Sequence, residues 1–284
     1  EVRNSSITNL SGIQDFVSLR TLSCGNNYIT SLDITKLTAL NSLSIDNNKL
    51  TTIDLSKNIN LKWLDVQLNN FVSLDVSKNT VLETLRCGMN KITSIDISKN
   101  TLLTDFHCSF NPITSLNVTN NTKLVSLGCS NGITVLDLSK NSALVNLDCS
   151  ASNIKSLDIS NCPKLTSFKC NDVDSLISLN LKNGNNINFT VFDIRGNYGL
   201  NCVQVDDPLY SNRYWLSLKE ATSVFSTNCY GYTTIPDPNF EDKLIARGID
   251  KDGKNGKVLT FSIEKITNVN LSASSISNLS GIED

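Results

Sequence analysis

The sequence lacks a charge excess of either sign and lacks any long apolar run. Its 25 basic and 27 acidic residues leave a formal net charge of −2, and no basic cluster stands out, so we expect no nucleic-acid partner. No segment approaches the roughly 18 apolar residues of a membrane-spanning helix, so we predict no transmembrane segment. A signal peptide is also missing, but the first residues already belong to the repeat described below, so its absence carries no information about export.

The sequence also has only one histidine, the side chain most often used as general acid or base. Asp105 precedes this His107 by two positions, yet no serine or cysteine nucleophile is marked out beside the pair. We therefore expect no enzyme activity and no cofactor. The loop from Asp250 to Lys257 lacks the ligand order and closing glutamate of an EF-hand and carries three lysines, which favours a glycine-rich turn over the alternative, a calcium site.

What the sequence has is a repeat of 21 residues, once 20. Each line reads L-x-x-L-x-C-x-x-N-x-I-x-x-L-D-I-S-x-N, and positions four and six carry only apolar side chains. Alternation at positions four to six predicts a very short strand with two inward side chains, and stacking of successive turns would bury them in one core. The lines begin at Leu19, Leu40, Leu61, Leu82, Leu103, Leu124, Leu144 and Leu165.

This pattern resembles the leucine-rich repeat over roughly residues 2 to 202. The resemblance implies an α/β solenoid, a right-handed coil with short parallel strands on its concave face and loops or short helical turns on its convex side. We predict about nine turns in residues 1–202 and a C-terminal cap in 203–232. The asparagine at position nine should bond to backbone where the chain bends, and the recurrent L-D-I-S-K-N segment should form a solvated convex edge.

Residues 233–284 are predicted to form a helix cap followed by the first partial turn of another repeat unit. Asp237 is the expected N-cap, Pro238 the first helical residue and Gly248 the stop. Residues 271–284 match residues 2–15 with a constant offset of 269. The simplest interpretation is a tandem array of similar units, from which this chain is a slice with a shifted frame.

Six of the nine cysteines occupy position six, where Ile45 and Val66 stand in other turns, as expected for a small buried apolar residue. Neighbouring strands would hold these thiols about 4.8 Å apart without the converging geometry of a disulfide, so we expect free thiols there and at Cys162. Cys202 and Cys229 bracket an aromatic-rich segment. We predict one disulfide between them, which favours an exported protein.

Taken together, the motifs resemble a narrower group of proteins. The I-P-D-x-N-F-E-x-x-L-I opening, the S-x-I-x-N-L-x-G-I turn, the L-x-C repeats and the C-V-Q-V-D-D…W…F-S-T-N-C ending are similar to those of secreted or surface leucine-rich-repeat proteins of the Bacteroidetes, and more distantly to internalins. The resemblance implies an extracellular binding module on the outer cell surface. No catalytic residue is carried over, because none belongs to the repeat pattern.

Most turns present small polar side chains outward, but turns three to five do not. Tryptophan, arginine and phenylalanine anchor many protein interfaces, so we predict a concave patch that binds a protein or glycan. The alternative is that Leu68, Met89 and Phe110 merely pack along the strand-to-turn edge. The predicted patch consists of Trp63, Asp65, Gln67, Arg86, Met89, Asp105, His107 and Phe110.

Three functions follow from these expectations. The first is an extracellular scaffold for recognition or adhesion through its concave face. The second is a structural tandem-repeat surface protein that assembles head to tail through its C-terminal segment. The third, an accessory module of an enzyme, is disfavoured because no acid, base and nucleophile converge.

Overall fold

The structure, a computed structural model, describes residues 2–251, 253–263, 266–272 and 275–282. Its main body is a coil that adds a three-residue parallel strand with nearly every turn. The strands in chain order are β1 (Thr21–Ser23), β2 (Ser42–Ser44), β3 (Trp63–Asp65), β4 (Thr84–Arg86), β5 (Asp105–His107), β6 (Ser126–Gly128), β7 (Asn146–Asp148), β8 (Ser156–Asp158), β9 (Ser167–Lys169), β10 (Ser178–Asn180), β11 (Val191–Asp193), β12 (Cys202–Gln204), β13 (Val224–Ser226), β14 (Tyr232–Thr234) and β15 (Lys257–Leu259).

Nine of these strands form one parallel sheet in the order β1 to β7, then β9 and β11. Their register follows the repeat, so that Leu22 lies opposite Leu43 and Leu64 lies opposite Leu85. These central side chains point inward and are almost fully buried, and burying one leucine contributes about 2 kcal/mol. The predicted leucine-rich-repeat coil with short parallel strands is therefore confirmed.

The asparagines at position nine hold the bend after each strand, as expected. Asn48 donates through Nδ2 to the carbonyls of Cys24 and Ile45, both at 3.1 Å, and its Oδ1 accepts from the amide of Ile29 at 3.0 Å. Asn69 and Asn90 repeat this arrangement one and two turns later. Each of these side chains therefore joins successive turns.

The prediction that the L-D-I-S-K-N segment is a solvated edge is wrong for its asparagine. Asn79 is fully buried and donates to the carbonyls of Leu55 and Asn58 in the previous turn. Inward-facing carbonyls at this bend need a donor, and the amide supplies it. The aspartate of the segment does face solvent, where Asp54 Oδ1 accepts from the amide of Ser56. The same buried position is taken by Asn58, Asn79, Asn100, Asn121, Asn141 and, with a thiol, Cys162.

A second parallel sheet lies on the return side of the later turns, which the sequence analysis did not predict. Strands β8, β10, β12 and β13 pair in register, with Leu157 beside Leu179 and Val203 beside Phe225. Residues 203–226 thus extend the coil's own core. Trp215 lies against Phe192 with ring centroids 4.3 Å apart and is buried.

Helix α1 (Pro208–Tyr214) lies within this region, and Cys202 is joined to Cys229 with a Cα–Cα distance of 5.7 Å. Short 3-10 helices occupy Ile13–Asp15, Asn186–Asn188 and Leu216–Leu218.

The last described part of the chain has its own small core. Helix α2 (Pro238–Ala246) begins at the N-cap Asp237 as predicted, and α3 (Thr260–Ile263) follows the antiparallel pair β14 and β15. Phe240 and Leu244 are buried here in a cluster separate from the main core. The domain division at residues 202 and 232 stays a proposal. The longest described helix has nine residues, and none within the described ranges meets the length and apolarity required to cross a bilayer.

The side chain of Glu241 fixes the backbone of the glycine-rich loop that follows α2. It is buried, and its Oε1 accepts from the amides of Asn255 and Gly256, both at 2.6 Å. Asp252, one of the carboxylates considered for calcium, lies outside the described residues. The structure therefore gives this loop a backbone anchor that the sequence pattern did not reveal.

Candidate binding face

Position eight of every turn from the first to the ninth adopts the left-handed backbone conformation, with φ between 50° and 75°. Asparagine, aspartate and glycine tolerate this region, whereas large side chains pay about 1 to 2 kcal/mol for it. Turns three to five nevertheless carry Leu68, Met89 and Phe110 there, with φ of 54°, 54° and 59°. We call these three residues the left-handed row.

The left-handed row is also exposed to solvent. Leu68, Met89 and Phe110 keep 46%, 46% and 52% of their surface accessible. The alternative that they merely pack along the strand-to-turn edge accounts for only about half of their surface. Both the backbone conformation and the exposure are unfavourable for such side chains in an isolated coil. These are the properties expected of side chains that contact a binding partner.

Beside the row lies a connected set of side chains on β3, β4 and β5. The Arg86 guanidinium lies 5.0 Å from the Trp63 ring centroid and 3.3 Å from Asp105 Oδ1. Trp63 is 38% exposed. Because the ion pair and the ring together restrict Arg86, it is presented in a fixed orientation to a partner.

His107 lies at the far side of Asp105, with Nε2 3.7 Å from Asp105 Oδ1 and 3.2 Å from Ser126 Oγ. Its ring fills the space over Gly128, where a Cβ would stand 2.3 Å from Nδ1. Partial burial lowers the pKa of His107, an effect that Asp105 opposes. The neutral imidazole is therefore favoured in the folded protein. Ser126 Oγ and Asp105 Oδ1 both face the same ring nitrogen, Nε2, whereas in a catalytic triad the carboxylate and the hydroxyl face opposite nitrogens of the ring.

The remaining predicted residues, Asp65 and Gln67, lie half-buried below Arg86. Gln67 donates through its amide nitrogen and its side chain to Asp65 Oδ1 at 3.2 and 3.3 Å. Burial nevertheless raises the pKa of Asp65. All eight residues predicted for the patch thus fall on three adjacent turns, and the structure adds Leu68 to them through its place in the left-handed row.

Under the sheet, the position-six cysteines form a buried column of free thiols. Burial raises the pKa of Cys87 to about 12 and that of Cys24 to about 11. Seven cysteines are free and buried, and no group of three or more potential metal ligands occurs among the described residues. The cysteines face away from the candidate binding face and add no chemistry to it.

Two polar features outside the patch were not found from the sequence. Arg3 makes two contacts of 2.8 and 2.9 Å with the Asp46 carboxylate. Although burial opposes it, the Arg3 hydrogen bond lowers the pKa of Asp46. At the other end of the sheet, Asp193 and Arg195 pair at 2.6 Å in a polar cleft that Glu220 also lines. The Arg3–Asp46 pair depends on a contact between turns, which a repeat pattern does not specify, whereas Asp193 and Arg195 lie two residues apart in one turn.

Comparisons with known proteins agree with this fold. A family model described as Leucine Rich repeats (2 copies) matches residues 17–58. No curated protein gives a significant match. The functional domain of InlJ from Listeria monocytogenes, described as including a cysteine ladder, is 30% identical, with a TM-score of 0.57 over 78% of this chain and 61% of that one.

Two further solved structures are similar in fold alone. A leucine-rich-repeat protein from Leptospira interrogans is 19% identical, with a TM-score of 0.57 over 77% of this chain and 57% of that one. An internalin, InlF, from Listeria monocytogenes is 24% identical, with a TM-score of 0.52 over 71% of this chain and 58% of that one. The chain therefore spans about three fifths of the length of these structures.

Proposed function

We propose that this internalin-like leucine-rich-repeat protein is a binding scaffold that recognises a protein partner through turns three to five. The observation that carries the proposal is the left-handed row, where Leu68, Met89 and Phe110 are half exposed in a backbone region that disfavours them. Neighbouring turns carry asparagine at the same position, at Asn26 and Asn47. The coil alone therefore has no need of apolar side chains there.

The chemistry of the patch suits a protein surface. An exposed apolar row next to a tryptophan and an oriented arginine matches the composition of interface hot spots. Asp65 and Asp105 add acceptors at its centre, so the partner should present an apolar ridge flanked by basic or donor groups. A glycan stacked on Trp63 is the alternative ligand.

We further propose that the protein acts outside the cell, as an adhesion module on an outer surface. A Cys202–Cys229 disulfide persists only in an oxidising compartment. Residues 271–284, which repeat residues 2–15, support a tandem architecture. A second candidate function, favoured by that repeat, is head-to-tail association of copies through the C-terminal segment.

The test uses a phage library of random peptides and a glycan array as probes against the full chain. Ligands selected on the wild type are then measured by surface plasmon resonance against Trp63→Ala, Arg86→Ala and Met89→Asn. We expect each variant to weaken binding at least about 10-fold, since truncating an interface anchor commonly costs 2 kcal/mol or more.

Tyr198→Ala is the matched control, because Tyr198 is 72% exposed and lies outside the patch. It should leave the affinity unchanged. Peptides or glycans that bind the wild type and all three patch variants equally would place the ligand elsewhere and refute the proposed face.

A further inference from the structure

Free thiols occupy position six in five successive turns, from the fourth to the eighth. Backbone hydrogen bonds hold these turns in register, because the amide of Cys108 donates to the carbonyl of Gly128 at 2.8 Å and that of Cys129 to the carbonyl of Asp148 at 2.9 Å. The thiols of neighbouring turns therefore lie side by side. We call this set the thiol ladder, and it consists of Cys87, Cys108, Cys129, Cys149 and Cys170.

Neighbouring thiols in the ladder interact with one another. A hydrogen bond with the Cys170 thiol raises the pKa of Cys149. Burial raises the pKa of Cys129, and the thiol of Cys108 adds to this effect. The thiols in the ladder therefore have other thiols, and not only apolar groups, as neighbours.

Packing alone does not require cysteine at position six. In turn three the position is taken by Val66, two residues after Leu64, and both side chains are buried. In turn four it is taken by Cys87, two residues after Leu85, and these are buried as well. Because the leucine is the same in both turns, a branched apolar side chain fills this position as a thiol does. The uninterrupted run of five cysteines therefore needs a reason besides burial.

The spacing of the ladder excludes one thiol chemistry and suits another. Neighbouring parallel strands lie about 4.8 Å apart with parallel side chains, whereas a disulfide needs sulfur atoms about 2.0 Å apart and converging Cβ atoms. A metal ion that binds two sulfur atoms in a line holds them about 4.6 Å apart, which is twice a metal–thiolate bond of about 2.3 Å. Thiolates select soft cations such as Cu(I). The ladder therefore fits a soft cation between each two adjacent turns.

We propose that the thiol ladder is a binding site for soft monovalent cations of the Cu(I) and Ag(I) type, with one cation held between each two successive thiols. No group of three or more potential metal ligands occurs in the part of the chain that the structure describes. The ladder offers its ligands two at a time, so linear coordination is the arrangement that it can provide. This site goes beyond the proposed binding function and is independent of ligand binding by turns three to five.

Each bound cation replaces one proton, and no electron is transferred. One thiol of a pair releases its proton to solvent and forms the metal–thiolate bond, while the sulfur of the neighbouring thiol donates a lone pair to the same cation. The positive cation and the negative thiolate leave the core neutral, which avoids the cost of burying an unpaired charge. The five thiols enclose four gaps. A full ladder therefore holds four cations, has released four protons and keeps one thiol protonated.

The burial of the ladder affects how quickly it can be loaded. All five thiols are buried, so a cation enters only when neighbouring turns open transiently. A cation replaces a proton and adds no alkyl group to the packed core, so the coil can close around it. Loading should therefore require prolonged incubation of the folded protein.

The test incubates the folded full chain with silver(I) nitrate in a chloride-free buffer and counts the bound ions by native mass spectrometry. Cys129→Val interrupts the ladder in its middle and removes two of the four gaps. Cys24→Val is the matched control, because Cys24 is equally buried at position six of turn one but is followed in turn two by Ile45, so no gap is lost. Val66→Cys extends the ladder by one turn and adds one gap. Far-UV circular dichroism checks that each variant is folded.

We expect Cys129→Val to bind two silver ions fewer than the wild type, Cys24→Val to bind the same number and Val66→Cys to bind one more. Equal losses in Cys129→Val and Cys24→Val would mean that the thiols bind silver singly, and would overturn the proposal. A folded wild type that binds no silver would overturn it too. If Cys129→Val does not fold, Val66→Cys decides the matter, and a count equal to that of the wild type refutes the ladder site.

Discussion

At the scale of single residues, the same side chain type has different roles in different positions of the repeat. Asparagine at position nine is buried and bonds to two turns, whereas asparagine at position eight, such as Asn47, faces solvent and uses its tolerance of left-handed φ. Of these two positions, only position eight carries apolar replacements in turns three to five. Turns three to five thus have asparagine at position nine and a large apolar side chain at position eight.

Replacing Asn90 by alanine should destabilise the coil strongly. The change removes four hydrogen bonds and leaves the buried amide of Phe71 and the carbonyls of Val66, Cys87 and Gly88 without this partner. Each buried group left unpaired costs about 1 to 3 kcal/mol, so we expect a loss of about 3 kcal/mol in the free energy of unfolding, measured by urea denaturation. Asn60→Ala, which removes one exposed contact, should change it by less than about 0.5 kcal/mol. Equal effects would contradict the structural role of position nine.

His107 should titrate below the ordinary histidine pKa of about 6.5, because burial disfavours its charged form. A lowered pKa means that the unfolded chain binds this proton more readily, so the folded state loses stability as the pH falls from about 6.5 towards the folded pKa. Asp105→Asn should lower the pKa further, since Asp105 favours the charged form and Arg86 opposes it. As the only histidine, its proton NMR resonances report both values directly. A pKa above 6.5 would rule out this environment.

At the scale of elements, the repeat pattern predicted the features that are set by the alternation of apolar residues. It missed the features that are set by contacts between neighbouring turns. The short strand in each turn, the buried cysteine column and the α2 helix follow from the periods of apolar residues and from Asp237 and Pro238 at a helix start. The strand occupies positions three to five, one residue before the predicted positions four to six. The burial of Asn79 was not predicted, because the sequence does not distinguish a turn asparagine whose amide faces water from one whose amide donates to inward-facing carbonyls. The return-side sheet was missed because it depends on the spacing between neighbouring turns, which the residues of β8 or β10 do not reveal.

For the binding face, the backbone conformation of the left-handed row was likewise not predicted from the sequence. Its residues were identified from side chain type, but their backbone conformation was not. The signal in the sequence was the residue type at position eight of the other turns, which is Asn26, Asn47, Asn131, Asp172 or Gly196 in five of them. That pattern indicates a left-handed position only when read together with the strand that precedes it.

The cysteine column should be chemically inert while the coil is folded. Burial raises the thiol pKa of Cys87 to about 12 and of Cys162 to about 11, and a thiol must ionise to be alkylated. Iodoacetamide at pH 8 should therefore modify none of the seven free cysteines in the native protein and all seven in urea, as read by mass spectrometry. Rapid native labelling of any column cysteine would contradict the buried column.

At the scale of the whole molecule, the stacked turns supply a rigid platform for the candidate binding face. The sheet is continuous from β1 to β11, so strand residues in adjacent turns hold fixed positions relative to one another. Turns three to five present the apolar row with Trp63 and Arg86 on this platform.

The central claim is that the left-handed row is kept for contact and not for the stability of the coil. The most direct measurement is the free energy of unfolding, by urea denaturation, of the triple variant Leu68→Asn, Met89→Asn, Phe110→Asn. Asparagine tolerates the left-handed region better and exposes less apolar surface, so we predict that the triple variant is about 1 to 3 kcal/mol more stable than the wild type. A triple variant less stable than the wild type would mean that these side chains support the fold, and would contradict the account.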